Sequence, residues 1–70
     1  MATHPKLKIG KNLKKLRTDK QLSQDQLSKK ANIHLNTVVV VETRENSNPT
    51  IQTLMKIADA LGVSINDLIG

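Results

Sequence analysis

Residues 23–43 read Ser23-Gln24-Asp25-Gln26-Leu27-Ser28-Lys29-Lys30-Ala31-Asn32-Ile33-His34-Leu35-Asn36-Thr37-Val38-Val39-Val40-Val41-Glu42-Thr43, and this stretch decides the fold. Ser23 offers an N-cap oxygen to a helix whose first turn carries Asp25, where a negative charge suits the helix dipole. Leu27 and Ala31 supply its buried positions, and Asn32, the commonest non-glycine residue in left-handed geometry, ends it. A second helix is expected from about Leu35 to Thr43. Two short helices that cross steeply need a small side chain where their backbones approach, a left-handed corner and aliphatics on both sides. Ser28, Asn32 and the set Leu27, Ala31, Ile33, Val38 and Val41 meet those needs, so the segment is read as a helix-turn-helix.

Local and global signals conflict within it. Thr37 to Val41, taken alone, reads as a strand, because four consecutive valines are β-branched. Each valine in a helix costs up to about 0.7 kcal/mol relative to alanine, hence roughly 2 to 3 kcal/mol for four. Tertiary packing must offset that sum. The same low-charge window is an aggregation hazard in the unfolded chain.

Outward from this motif, Ile9, Leu13 and Leu16 recur at steps of four and three, with Lys11, Lys14, Lys15 and Lys20 on the other sides. An amphipathic helix is expected from just after Pro5, about Lys6 to Asp19, with residues 1–5 as a flexible tail. Downstream, Arg44 to Asn48 is a polar loop and Pro49 with Thr50 opens a helix. Ile51, Leu54, Ile57, Ala58 and Leu61 form its apolar stripe as far as Gly62, the expected stop. Ser64-Ile65-Asn66-Asp67 has the shape of a capping box and opens a short last helix through Leu68 and Ile69. The fold class is therefore all-α, a single five-helix domain over residues 1–70. Its expected core is Ile9, Leu13, Leu16, Leu22, Leu27, Ala31, Ile33, Val38, Val41, Ile51, Leu54, Ile57, Ala58, Leu61, Val63 and Leu68.

Composition narrows the functions. Seventy residues without cysteine rule out a disulfide framework and a thiolate zinc site, and no stretch approaches the roughly 20 apolar residues of a membrane span. His4 and His34 are isolated and show no metal-ligand spacing; Gly10, Gly62 and Gly70 are too far apart for a phosphate-binding loop. An enzyme is not expected, nor a cofactor, a metal, a small-molecule ligand or a membrane partner; a cytoplasmic location is. The net charge of +5 is uneven, with nine bases and two acids in residues 1–30 against two bases and four acids in residues 31–70. That asymmetry suits a polyanion. The absence of Phe, Trp and Tyr removes the base-stacking platforms of single-strand and RNA binders, which leaves duplex DNA as the expected partner.

The segments 9–17, 22–28 and 53–63 together make the chain resemble the helix-turn-helix DNA-binding domains of the lambda-repressor/Cro (XRE) family over nearly its whole length. The resemblance implies a lambda-repressor-like bundle that regulates transcription, usually as a homodimer on a pseudo-palindromic operator. In that geometry the second motif helix lies in the major groove and half-sites fall about 34 Å apart. By position, it implies that His34, Leu35, Asn36 and Val40 face base edges, and that Gln24, Thr43, Arg44 and Asn46 meet the phosphate backbone. Arg17 and Glu42 match a partly buried ion pair between the first and third helices. Ile65, Leu68 and Ile69 are candidates for the dimer contact, since one short helix carries more apolar residues than a single core needs.

The pattern departs from the family at two places. Val39 and Val40 stand where a polar residue and then Arg, Lys or Gln are common, and Arg44 stands where glycine is common. An arginine at positive φ would be strained or would force a different loop. A second reading therefore stays open: a protein-interaction module, or a variant impaired in DNA binding, whose Val-rich third helix contacts another chain.

Overall fold

The valine run is helical. In a computed structural model, which describes residues 8–44 and 48–70, the elements are α1 (Ile9–Asp19), α2 (Gln24–Ala31), α3 (Leu35–Thr43), α4 (Ile51–Leu61) and α5 (Ile65–Ile69), with no strand among the described residues. The expected tail 1–5, the expected helix start at Lys6 and the loop residues Glu45, Asn46 and Ser47 lie outside the described residues. Lys8, with ψ 46°, lies outside the helical region, so α1 begins at Ile9.

What overrides β propensity in α3 is burial. Val38 and Val41 are three apart on one face and are almost wholly enclosed, at 0% and 3% exposure. Burying a valine side chain gives about 1.5 to 3 kcal/mol, so this pair alone offsets the helix cost of all four. Each helix contributes one fully enclosed aliphatic side chain to a shared core, namely Leu13, Leu27, Val38, Ile57 and Leu68. Helix α1 packs on α3 and α5, α2 on α3 and α4, and α4 on α5.

Helix ends are specified locally. Ser23 and Ser64 form reciprocal capping boxes with Gln26 and Asp67, and the Thr50 hydroxyl accepts from the Thr53 amide at 3.1 Å. The C-termini of α1, α2 and α4 share one motif. Gln21, Asn32 and Gly62 take left-handed φ of 59°, 58° and 70°. In each case the following residue, Leu22, Ile33 or Val63, sends its amide back to a carbonyl five residues earlier, at 2.9 to 3.1 Å. The three following side chains are apolar and pack against the core, which is the hydrophobic partner this motif favours.

The structure corrects three expectations. Ile51, placed in the core, is 64% exposed at the head of the α4 stripe. Ala60, off that stripe, is buried. Leu68, placed both in the core and in the dimer contact, is 0% exposed within this chain's own core, which agrees with the first placement and not the second, because a single turn of helix can turn one side chain fully inward and α1 and α4 enclose it. Ile65 and Ile69 remain partly exposed.

Gly10 is needed for a reason outside its own helix. A Cβ there would stand 2.6 Å from the Val41 carbonyl oxygen and 2.7 Å from that of Glu42. The backbones of α1 and α3 thus approach closely at this point, which fixes how the second motif helix sits on the first helix.

Candidate nucleic-acid interface

The corner between α2 and α3 is closed by Asn32 in left-handed geometry and by Ser28, which is 3% exposed. The Ser28 hydroxyl donates to the Asp25 carbonyl at 2.6 Å, so its burial leaves no polar group unpaired. With Val38 and Val41 turned inward, the outer face of α3 presents Leu35, Asn36, Val39, Val40 and Thr43. Leu35 is 43% exposed, Asn36 and Thr43 are exposed, and Val39 and Val40 are half-buried.

An ion pair anchors this helix from behind. Arg17 Nε donates to Glu42 Oε2 at 2.6 Å and Arg17 Nη2 to Oε1 at 3.1 Å, a bidentate arrangement. A third guanidinium donor, Nη1, meets the Leu22 carbonyl at 2.6 Å. The Arg17 and Glu42 side chains are 13% and 2% exposed, so the expected partly buried pair is buried more deeply on its acidic side. Gln24 Nε2 also donates to Glu42 Oε1, at 3.2 Å. This bond places the Gln24 carboxamide in the first turn of α2 against the last turn of α3, at one edge of the outer face.

The remaining expected site residues are distributed as follows. His34 is the N-cap of α3 by backbone geometry, but its side chain makes no cap hydrogen bond. Thr43 uses its hydroxyl hydrogen within the helix, on the Val39 carbonyl at 2.7 Å, so a phosphate could be met only by releasing that bond. Arg44 is exposed and extended, with φ −97°. The strain of a positive φ at arginine is thereby avoided, at the cost of the left-handed stop used by α1, α2 and α4.

Two residues outside the expected set join this surface. Thr53 and Lys56 of α4 line an open, mostly polar cleft with Asn32, Ile33, His34 and Thr37. Spacing along the sequence could not bring α4 to the motif's corner, which it reaches through its packing on α2. Among the described residues no group of three His, Asp or Glu side chains is placed to hold a metal ion, and no helix is long and apolar enough to cross a membrane.

Comparison with known proteins agrees with this geometry. The family model of the Cro/C1-type HTH DNA-binding domain matches residues 12–70. The chain is 34% identical over 62 residues to the immunity repressor protein of Bacillus phage phi105; it spans 89% of the present chain and 42%, about two fifths, of that repressor. The restriction-modification controller protein C.AhdI from Aeromonas hydrophila superposes with a TM-score of 0.82 at 33% identity, covering 90% of this chain and 94% of that one. SinR, a master regulator for biofilm formation solved in complex with DNA, superposes with a TM-score of 0.81 at 33% identity, covering 86% and 95%. Its N-terminal DNA-binding domain from Bacillus subtilis gives the same score.

Proposed function

Because the chain belongs to the family of Cro/C1-type helix-turn-helix DNA-binding domains, we propose that it is a sequence-specific repressor or controller that occupies a pseudo-palindromic operator as a homodimer. The observation that carries this reading is the outer face of α3, with Leu35, Asn36 and Thr43 exposed and Val39 and Val40 half-buried, beside the first turn of α2 and braced from behind by the Arg17–Glu42 pair. A rigidly held helix is what base readout in the major groove requires, since a hydrogen bond to a base edge discriminates only if its donor cannot drift.

Within that docking, His34, Leu35, Asn36 and Val40 face base edges. Asn36 is the polar reader, because a carboxamide pairs bidentately with adenine. Gln24 and Arg44 meet phosphates on either side, with Asn46 and Thr43 completing the backbone contacts. Gln24 retains a second amide hydrogen and, at the first turn of α2, a helix amide that favours an anion. Ile65 and Ile69, partly exposed on α5, form the dimer contact without Leu68. The protein works by occupancy and not by catalysis, in the cytoplasm, with DNA and a second copy of itself as partners. That SinR, 33% identical to this chain, was solved in complex with DNA supports the DNA-binding reading.

The test is repeated selection from a randomised duplex pool at near-physiological salt with competitor DNA to suppress phosphate-only binding. Enrichment of an inverted repeat with half-sites about one helical turn apart is expected. A second reading, in which α3 contacts a protein, is favoured by the exposed apolar side chain of Leu35 beside Val39 and Val40. Substituting Val39 and Val40 by Ser and Arg separates the two: a gain in DNA affinity supports the impaired-variant reading, and no gain counts against it.

A further inference from the structure

We infer that the α3 face selects its operator by the 5-methyl groups of thymine, so that the half-site is rich in A·T pairs with thymines set against Leu35 and Val40. The inference rests on the DNA-binding reading above and specifies which bases that face accepts.

At about 100° per residue, Leu35, Val39, Thr43, Asn36 and Val40 fall within roughly 140° of one another around the helix, the arc opposite Val38 and Val41. That arc carries no charge. The acid of α3, Glu42, falls about 20° beyond Leu35 at the edge of the arc, where its side chain is 2% exposed and held by Arg17 and Gln24. Thr43 has already committed its hydroxyl hydrogen to the Val39 carbonyl. Asn36 is therefore the one side chain of the arc with uncommitted hydrogen-bond donors, and three of the other four positions are aliphatic.

Such a face is poorly matched to G·C pairs. Guanine presents two acceptors in the major groove and cytosine a donor, and an aliphatic side chain pressed on them removes water without replacing its hydrogen bonds. Thymine presents a methyl group, which Leu35 or Val40 can cover, and the adenine of a neighbouring pair offers Asn36 its acceptor and donor.

The experiment uses the full chain and duplexes recovered from the randomised pool. The enriched duplex is synthesised with thymine, with deoxyuridine at the half-site thymines only, and with deoxyuridine in the flanks only. Uracil pairs like thymine and differs by the missing methyl. Burial of one methyl corresponds to about a fourfold change in affinity, so removal of two per half-site should weaken binding about 15-fold for each half-site, or about 200-fold for the dimer on both, and flank substitution should leave it unchanged. Leu35→Ala and Val40→Ala, each removing one contact from both half-sites, should each bring the thymine-to-uracil ratio down by about 15-fold, with helical circular dichroism confirming the fold. An enriched inverted repeat whose binding ignores the half-site uracils, or whose half-sites are G·C-rich, overturns the inference and leaves the operator reading standing. Failure to enrich any duplex overturns both and assigns the apolar face to a protein partner.

Discussion

Replacing Arg17 by methionine keeps most of the side chain's length and removes its charge, and the consequence can be worked from the burial of its partner. The Glu42 carboxylate is 2% exposed and accepts from two guanidinium nitrogens and from Gln24. Arg17→Met leaves it with the single Gln24 donor in a low-dielectric setting, and stranding one member of a buried pair costs about 3 to 5 kcal/mol. A domain of this length has a total stability of about 4 to 10 kcal/mol. The single change therefore removes between about a third and all of the stability. With a urea dependence on the order of 1 kcal/mol per molar, the unfolding midpoint should fall by about 3 M, or the domain should be unfolded before urea is added. Because the chain has no aromatic residue, helical circular dichroism is the signal to follow. The double variant Arg17→Met with Glu42→Leu removes both charges and should recover to within about 1 kcal/mol of the parent. A single-variant cost under about 1 kcal/mol, or a double variant as unstable as the sum of its singles, would refute the claim that a buried pair braces α3.

Further outcomes are expected elsewhere in the chain. Gly10→Ala gains about 1 kcal/mol of helix propensity, yet its Cβ meets the α3 backbone at 2.6 Å. Overpacking against backbone costs typically 1 to 3 kcal/mol, so calorimetry should show a lower Tm despite the better helix former. Leu68→Ala should destabilise by about 2 to 5 kcal/mol, whereas Ile51→Gln should stay within about 0.5 kcal/mol in the same urea assay; equal effects would contradict the burial of α5. At the corner of the motif, Asn32→Gly should be close to neutral, while Asn32→Val should lose at least about 1 kcal/mol because a β-branched residue resists the 58° φ.

Much of this architecture is legible in the chain because its helices are punctuated by side chains with one local role. Ser23, Thr50 and Ser64 cap, Asn32 and Gly62 stop, and the stripe from Leu54 to Leu61 names a buried face. Gln21 was not legible as a left-handed stop, since glutamine carries no intrinsic bias to that geometry; the apolar Leu22 after it, in the same place as Ile33 and Val63, was the available signal. Ile51 shows that periodicity names a face without saying how far along it a neighbouring helix extends. The close approach at Gly10, the cleft that joins Thr53 and Lys56 to His34, and the tie from Asn12 Nδ2 to the Leu68 carbonyl at 2.7 Å all depend on packing between distant segments. The charge pair was legible only through resemblance, because nothing in the separation of Arg17 and Glu42 announces a contact. In the valine run, local preference favoured a strand, and burial of Val38 and Val41 decided for a helix.

The central claim is that the outer face of α3 reads base sequence in duplex DNA. It is tested most directly by the ratio of affinities for the enriched duplex and for a scrambled duplex of equal composition, measured at near-physiological salt for the parent and for Asn36→Ala. A parent ratio of about 10³ or more is expected. The Asn36→Ala ratio should fall by about 25-fold or more, with an unchanged salt dependence, because a bidentate base contact is lost in each half-site and no phosphate contact is. A parent ratio near one, or a ratio indifferent to Asn36, would contradict the claim.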